Sequence, residues 1–165
     1  MASISKYFSL EDLSWSDTAA RNRIDNMPKD QAVIDALTAL ASSVLDPIRA
    51  HFGVALRPNS GFRCRALEEA IYYKQVARMR ARGGKLEVDK WFEKKQHPRG
   101  LAADIEVPGV ANRALYEWIA GNLDFDQLIL EGVTQPTDPN SGWVHVSFNA
   151  AGNRHMKFEM PETGL

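Results

Sequence analysis

The chain has 165 residues, 44% of them hydrophobic, which suits one domain with a sizeable core. Its 20 Lys and Arg against 21 Asp and Glu leave a net charge of −1, which excludes the strongly basic character that nucleic-acid binding favours. The single cysteine, Cys64, cannot form an internal disulfide; it fits synthesis in a reducing compartment and reads as a small buried residue, not a nucleophile.

Along the chain, Ser9 with Asp12 predicts the cap of a short first helix. Pro28 suits the first turn of a longer one, in which Val33, Leu37, Leu40, Val44 and Ile48 recur on one apolar face. Pro47 is expected to kink or divide that helix, and Gly53 to end it. His51, close to that end, interacts favourably with the helix dipole and reads as structural. The N-terminus has no apolar signal core, and no stretch approaches the ~20 apolar residues of a membrane span, so neither export by a leader nor membrane contact is expected.

A strand is expected near 54–57, followed by a turn-rich stretch from Arg57 to Arg65. A helix from Ala66 to Arg82 comes next, ended by Gly83-Gly84. Its basic second half, with Lys85, Lys90, Lys94 and Lys95, makes the segment 66–95 locally positive; such a surface attracts an anionic polymer, although a solvated helix face explains it more simply.

The run from Gln96 to Asp104 places His97 before a Pro98-Arg99-Gly100 turn and Asp104 inside an apolar strand over 102–107. A carboxylate there must be neutralised by a cation, a metal or several hydrogen bonds. A helix from about Val110 to Asn122 packs Leu115 and Ile119 on the sheet. Strands near 126–131 and 143–148 pair through a long hairpin, with Val144 and Val146 on one face and His145 and Ser147 on the other. His155 opens an alternating edge strand over 155–160, and Trp143 either walls a cleft or fills the core. The whole is an α+β domain spanning 1–165, with helices on a small, mainly antiparallel sheet. Either His alone reads as a hydrogen-bonded structural residue. Together, two imidazoles and one carboxylate match the protein ligands of a catalytic zinc ion whose fourth position is open.

Ser60-Gly61-Phe62-Arg63, then His97 with Gly100 and Asp104, then Trp143-Val144-His145 together resemble the D-alanyl-D-alanine carboxypeptidase family of zinc peptidases, more narrowly its phage endolysin and murein peptidase branch. The similarity runs in order over roughly residues 8 to 148. It implies a Zn2+ cofactor on the sheet held by His97, Asp104 and His145, and gives Arg63 a role on the substrate carbonyl or carboxylate, or on the oxyanion. The implied partner is bacterial peptidoglycan, cut at an amide bond of the stem peptide; no nucleic acid or membrane is involved, and a monomer is expected. Synthesis in the cytoplasm of a host bacterium, with later access to the wall through a holin-opened membrane, follows from the same resemblance, as does a place in the virion.

Three positions depart from the family pattern. Gly142 stands where many members carry the Glu or Asp general base, which leaves Glu131 as the nearest replacement and Asp126 or Asp138 as weaker ones. Gln96 replaces a frequent Ser, and the connection from Arg63 to His97 is longer than in compact relatives. If no base reaches the metal, the chain is instead a noncatalytic zinc-containing wall-binding or virion module. A zinc-free domain of the same fold is the third reading.

Overall fold

The first helix starts at a reciprocal cap: Ser9 Oγ accepts the Asp12 N–H while the Asp12 carboxylate accepts the Ser9 N–H, at the head of α1 (Leu10–Ser14). The computed structural model describes residues 3–80 and 88–161. Ser16 caps α2 (Asp17–Asn22), and Asp30 caps α3 (Gln31–Leu40). Helix α3 continues through a π-helical turn, Ala41–Leu45, into α4 (Asp46–Phe52), and Gly53 closes it with a φ of 67°. Pro47 therefore does not divide the helix. It lacks an N–H to offer four residues back, and the wider turn just before it absorbs the missing bond.

By length and composition alone, an 18-residue window of the helix Gln31–Phe52, with a mean hydropathy of 1.2, is apolar enough to cross a membrane. Leu37, Leu40, Val44, Leu45 and Ile48 on this helix are fully buried in the core of the domain. An amphipathic core helix passes the same test.

The sheet has four strands, β1 (Ala102–Ile105), β2 (Gln127–Val133), β3 (Trp143–Ser147) and β4 (Met156–Pro161), in the order β1-β3-β2-β4. The pairs β1–β3 and β3–β2 are antiparallel, whereas β4 joins β2 in parallel, so the sheet is mixed, mostly antiparallel and open. One face is apolar. It places Ala103, Ile105, Leu128, Leu130, Val144 and Val146 in one cluster with the long helix and with Leu115 and Ile119 of a helix that precedes β2, over Asn112–Asn122. The opposite face carries Asp104, His145, Ile129 and Glu131. Helices α5 (Arg65–Arg80) and α6 (Val88–Lys94) lie in the connection between Arg63 and His97, and the helix over Asn112–Asn122 is α7. The expected stop at Gly83-Gly84 lies outside the described residues.

Two expected strands change. Residues 54–57 form none: Leu56 is buried singly, and the chain meets β1 later, through an isolated bridge from Ser60 to Asp104. His155 precedes β4, because its φ of 54° breaks the extended run and its imidazole Nε2 lies 3.0 Å from Asp124. His51 stacks on Trp118 with ring centroids 4.2 Å apart, a structural contact.

Leu40 has no exposed surface where the long helix meets the core, so Leu40→Ala is expected to lower the unfolding free energy in urea by about 2–5 kcal/mol.

Candidate metal centre

Asp104 stands opposite His145 across the β1–β3 ladder, and alternation turns both away from the apolar face. The other edge of β1 is held by residues 59–60: the Asp104 N–H donates to the Ser60 carbonyl at 2.7 Å, and the Asn59 N–H donates to the Asp104 carbonyl at 2.8 Å. That bridge delivers Arg63. Its guanidinium donates to Asp104 Oδ2 at 2.8 Å, to Ser60 Oγ at 2.8 Å and to Glu68 Oε1 at 3.3 Å. Glu68, on the first turn of α5, is buried, so Arg63 is clamped between two carboxylates.

His97 opens a 3-10 turn, His97–Arg99, which closes at Gly100 with a φ of 71°. A Cβ at Gly100 would come within 2.6 Å of the Val33 carbonyl oxygen on α3, so only glycine lets this turn seat against the long helix. His97 Nδ1 lies 2.7 Å from the Gly61 carbonyl. A carbonyl only accepts, so Nδ1 carries the proton and Nε2 presents its lone pair to the site, 3.4 Å from Asp104 Oδ2. His145 Nδ1 meets the other carboxylate oxygen, Oδ1, at 2.9 Å.

These three ligand atoms lie within 4.8 Å of one another, and His97, Asp104 and His145 are all buried. The group can hold a metal ion. Donors around a tetrahedral ion at metal–ligand distances of about 2.0–2.1 Å are separated by about 3.3 Å, which the 3.4 Å pair matches and the hydrogen-bonded pair approaches. Protonation also suits: burial, with Arg63 and His145, pushes the His97 imidazole below its ordinary value against the pull of Asp104. Burial alone would raise the Asp104 carboxyl, but His97, His145 and Arg63 hold it well below the usual carboxylate range. A neutral imidazole and an ionised carboxylate are the ligand forms.

The group opens into a cleft of about 200 Å³ whose other walls are Glu131, Trp143, Ile71 and Lys95. Glu131 sits on β2 opposite Trp143, one strand beyond the ligands, and burial raises its carboxyl above the ordinary value. Gly142 has a φ of 77°, and a Cβ there would collide with the Glu131 carbonyl oxygen. No side chain fits at that position. Gly132, at a β-bulge with a φ of 68°, lies under the Trp143 ring in the same way, and the indole is exposed as a wall of the cleft instead of core.

The weaker base candidates lie elsewhere. Asp138 is exposed in the β2–β3 loop, where it caps the Asn140 N–H. Asp126 is buried but spoken for: Arg154 donates to its Oδ1 at 2.8 Å and to Oδ2 at 2.6 Å, and Gln96 Nε2 donates to Oδ2 at 2.7 Å. Gln96 thereby ties the turn that carries His97 to the start of β2. Lys95, in the positive segment, lines the cleft, and its ammonium is pushed down by burial. Arg65, just before that segment, is paired with Glu69 and Asp89. Cys64 is half-buried and packs against the core.

Sequence reasoning passed over Glu68, Gln96 as a tether, and Asn26. The buried Asn26 side chain donates to the Ser14 and Phe62 carbonyls at 2.7 and 2.9 Å and accepts the Cys64 N–H at 2.8 Å, clamping the strip that presents Arg63. None of the three belongs to a periodic pattern, and no sequence signal pointed to them. Neither protein-family models nor curated proteins give a match to this chain.

His97→Ala is expected to abolish stoichiometric binding of a divalent transition metal, read by elemental analysis after dialysis, while Glu131→Ala keeps it. Gly142→Ala should lower stability in urea by more than about 1 kcal/mol, because the left-handed backbone and the Glu131 carbonyl both oppose a Cβ. Arg154 chiefly, with help from Gln96, lowers the Asp126 carboxyl against burial. A depressed folded-state value adds stability above the unfolded value of about 3.9, and that stability disappears as pH falls through the folded value. A series of urea unfolding curves should therefore show a steeper acid decline for the wild type than for Asp126→Asn.

Proposed function

We propose that this chain is a zinc-dependent peptidase that hydrolyses an amide bond in the stem peptide of bacterial peptidoglycan. One observation carries the reading: a buried group of two His and one Asp opens into a cleft that also contains the Glu131 carboxylate and the Arg63 guanidinium. The resemblance to zinc D-alanyl-D-alanine carboxypeptidases supplies the substrate class, and its phage endolysin branch favours an endopeptidase over a terminal D,D-carboxypeptidase.

His97, Asp104 and His145 would hold the zinc. When bound, the ion acts as a Lewis acid that polarises the scissile carbonyl and acidifies water. Glu131 takes the proton of the attacking water and returns it to the leaving amine. Arg63 fixes the Asp104 carboxylate and directs positive charge toward the oxygen that becomes negative. Trp143 gives the peptide a flat apolar wall. The place of action is the cell wall, reached from the host cytoplasm after the membrane is opened, or from a virion.

Gly142 supports a second reading, a noncatalytic zinc-containing wall-binding or virion module, because the base position of the family carries no side chain here. Mass spectrometry of fragments released from purified peptidoglycan separates the two. The peptidase releases fragments from walls when zinc-loaded and none after chelation, and the new termini name the bond. Zinc retained without release from walls of several chemotypes selects the noncatalytic module. Glu131→Ala is expected to reduce turnover by about 10²–10⁴-fold with zinc still bound, and an unchanged rate removes Glu131 from the mechanism.

A further inference from the structure

Strand β4 is the outer edge of the sheet beside β2, and all of its residues are exposed. Its register sets Met156, Phe158 and Met160 beside Gln127, Ile129 and Glu131, on the same face as the metal group. Those three apolar side chains are 42%, 38% and 46% exposed, a row that nothing among the described residues covers. The Met156 N–H donates inward to Asp126, so alternation turns the backbone groups of Lys157 and Glu159 outward, toward the open edge. An open edge with an apolar row invites pairing.

From the order of residues we infer that the occupant of this edge is a second copy of the chain, paired antiparallel through β4 about a two-fold axis at Phe158. Met156-Lys157-Phe158-Glu159-Met160 reads the same in either direction by chemical type. An antiparallel copy sets Phe158 against its own symmetry mate, Met156 against Met160, and Lys157 against Glu159, an attractive pair at both ends. The hydrogen-bond phase agrees with the side chains. Lys157 and Glu159, whose N–H and C=O groups point outward, become the hydrogen-bonded pairs, while Phe158 falls in the non-hydrogen-bonded pair where side chains approach most closely.

Lys157 makes no ion pair among the described residues. Glu159 is held by Arg113 at 2.8 and 2.9 Å, which fixes the carboxylate, and its oxygens keep lone pairs for a further ammonium. The pairing has natural limits: Pro161 has no N–H to give at one end, and the left-handed His155 breaks the strand at the other. Five residues make a small interface, so the dimer is weak and concentration-dependent. An axis perpendicular to the sheet keeps both metal clefts on one side of a continuous eight-stranded sheet, which lets one dimer engage a polymer at two points. This association stands on the edge strand alone and holds whatever the cleft acts on.

Sedimentation velocity of the full chain from about 10 μM to about 1 mM tests it. The wild type should shift from monomer to dimer across that range, and Lys157→Pro, which removes an outward N–H without touching the β2 ladder, should weaken the dimer at least about tenfold. Lys157→Glu should weaken it as well. In a Cys64→Ala background, Phe158→Cys should oxidise to a covalent dimer, because residues facing their own mates in a non-hydrogen-bonded pair are within disulfide reach, whereas Lys157→Cys should not. A monomer at every concentration overturns the proposal and leaves the face to another occupant, such as an extended peptide. A dimer indifferent to Lys157→Pro, or equal cross-linking by both cysteine variants, places the interface elsewhere and overturns it too.

Discussion

The Asp104 carboxylate is an ionised group on a strand whose other residues are entirely inside, and the surroundings of the site follow from that constraint. A buried charge of this kind is tolerated only when partners surround it, since leaving it unpaired costs several kcal/mol. Arg63 supplies the fixed cation, and the two imidazoles approach the oxygens from the other side. Arg63 is then itself a half-buried cation, and Glu68, which is fully buried, shares in its balance. Every member of this chain of dependencies is held by backbone: the Ser60 bridge carries Arg63, and the Gly61 carbonyl orients His97. Protons and charges are thereby balanced among the groups of the cluster itself.

Close backbone approaches do the positioning. Gly61 lies against the Leu13 carbonyl, Gly100 against Val33, and Gly142 against Glu131, and each contact leaves no space for a Cβ. The last leaves no space for any side chain at 142. The β2–β3 ladder crosses where a side chain at 142 would stand, and the further carboxylate that lines the cleft, Glu131, projects from β2 itself. The Gly132 bulge adds local twist and lays Trp143 over the same strand, so acid and wall are set by one irregularity.

Much of this was legible in the sequence because it depends on short-range rules. The Ser9 cap, the helical spacing from Val33 to Ile48, the alternation around His145 and the apolar run with Asp104 each report local periodicity. The ligand triad required joining two distant segments, which composition cannot do and motif order can. What stayed hidden depends on tertiary context. The run at 54–57 has strand-like residues but pairs with no strand, and β4 pairs in parallel because its connection crosses back past Asp126 instead of turning tightly. Gln96, Asp126 and Arg154 are polar residues of unremarkable types whose network appears only when the turn before β1 meets the start of β2. Gly142 read as a missing base; the collision behind it is visible only in three dimensions.

The Gly61 carbonyl that orients His97 belongs to a strip whose next amide, Phe62 N–H, donates to the Leu13 carbonyl at 2.7 Å. Leu13 is the buried centre of a helix of five residues, and that helix is moored farther out by Ser5, Lys6 and Tyr7, which all hydrogen-bond to Asp46 on the long helix. Fraying near the amino end, ordinarily the least costly local opening in a domain, is thus mechanically geared to the tautomer and aim of an imidazole more than eighty positions away. A fusion, cleavage or crowded surface that loosens the first fifteen residues would register as weaker ion retention well before any general loss of structure.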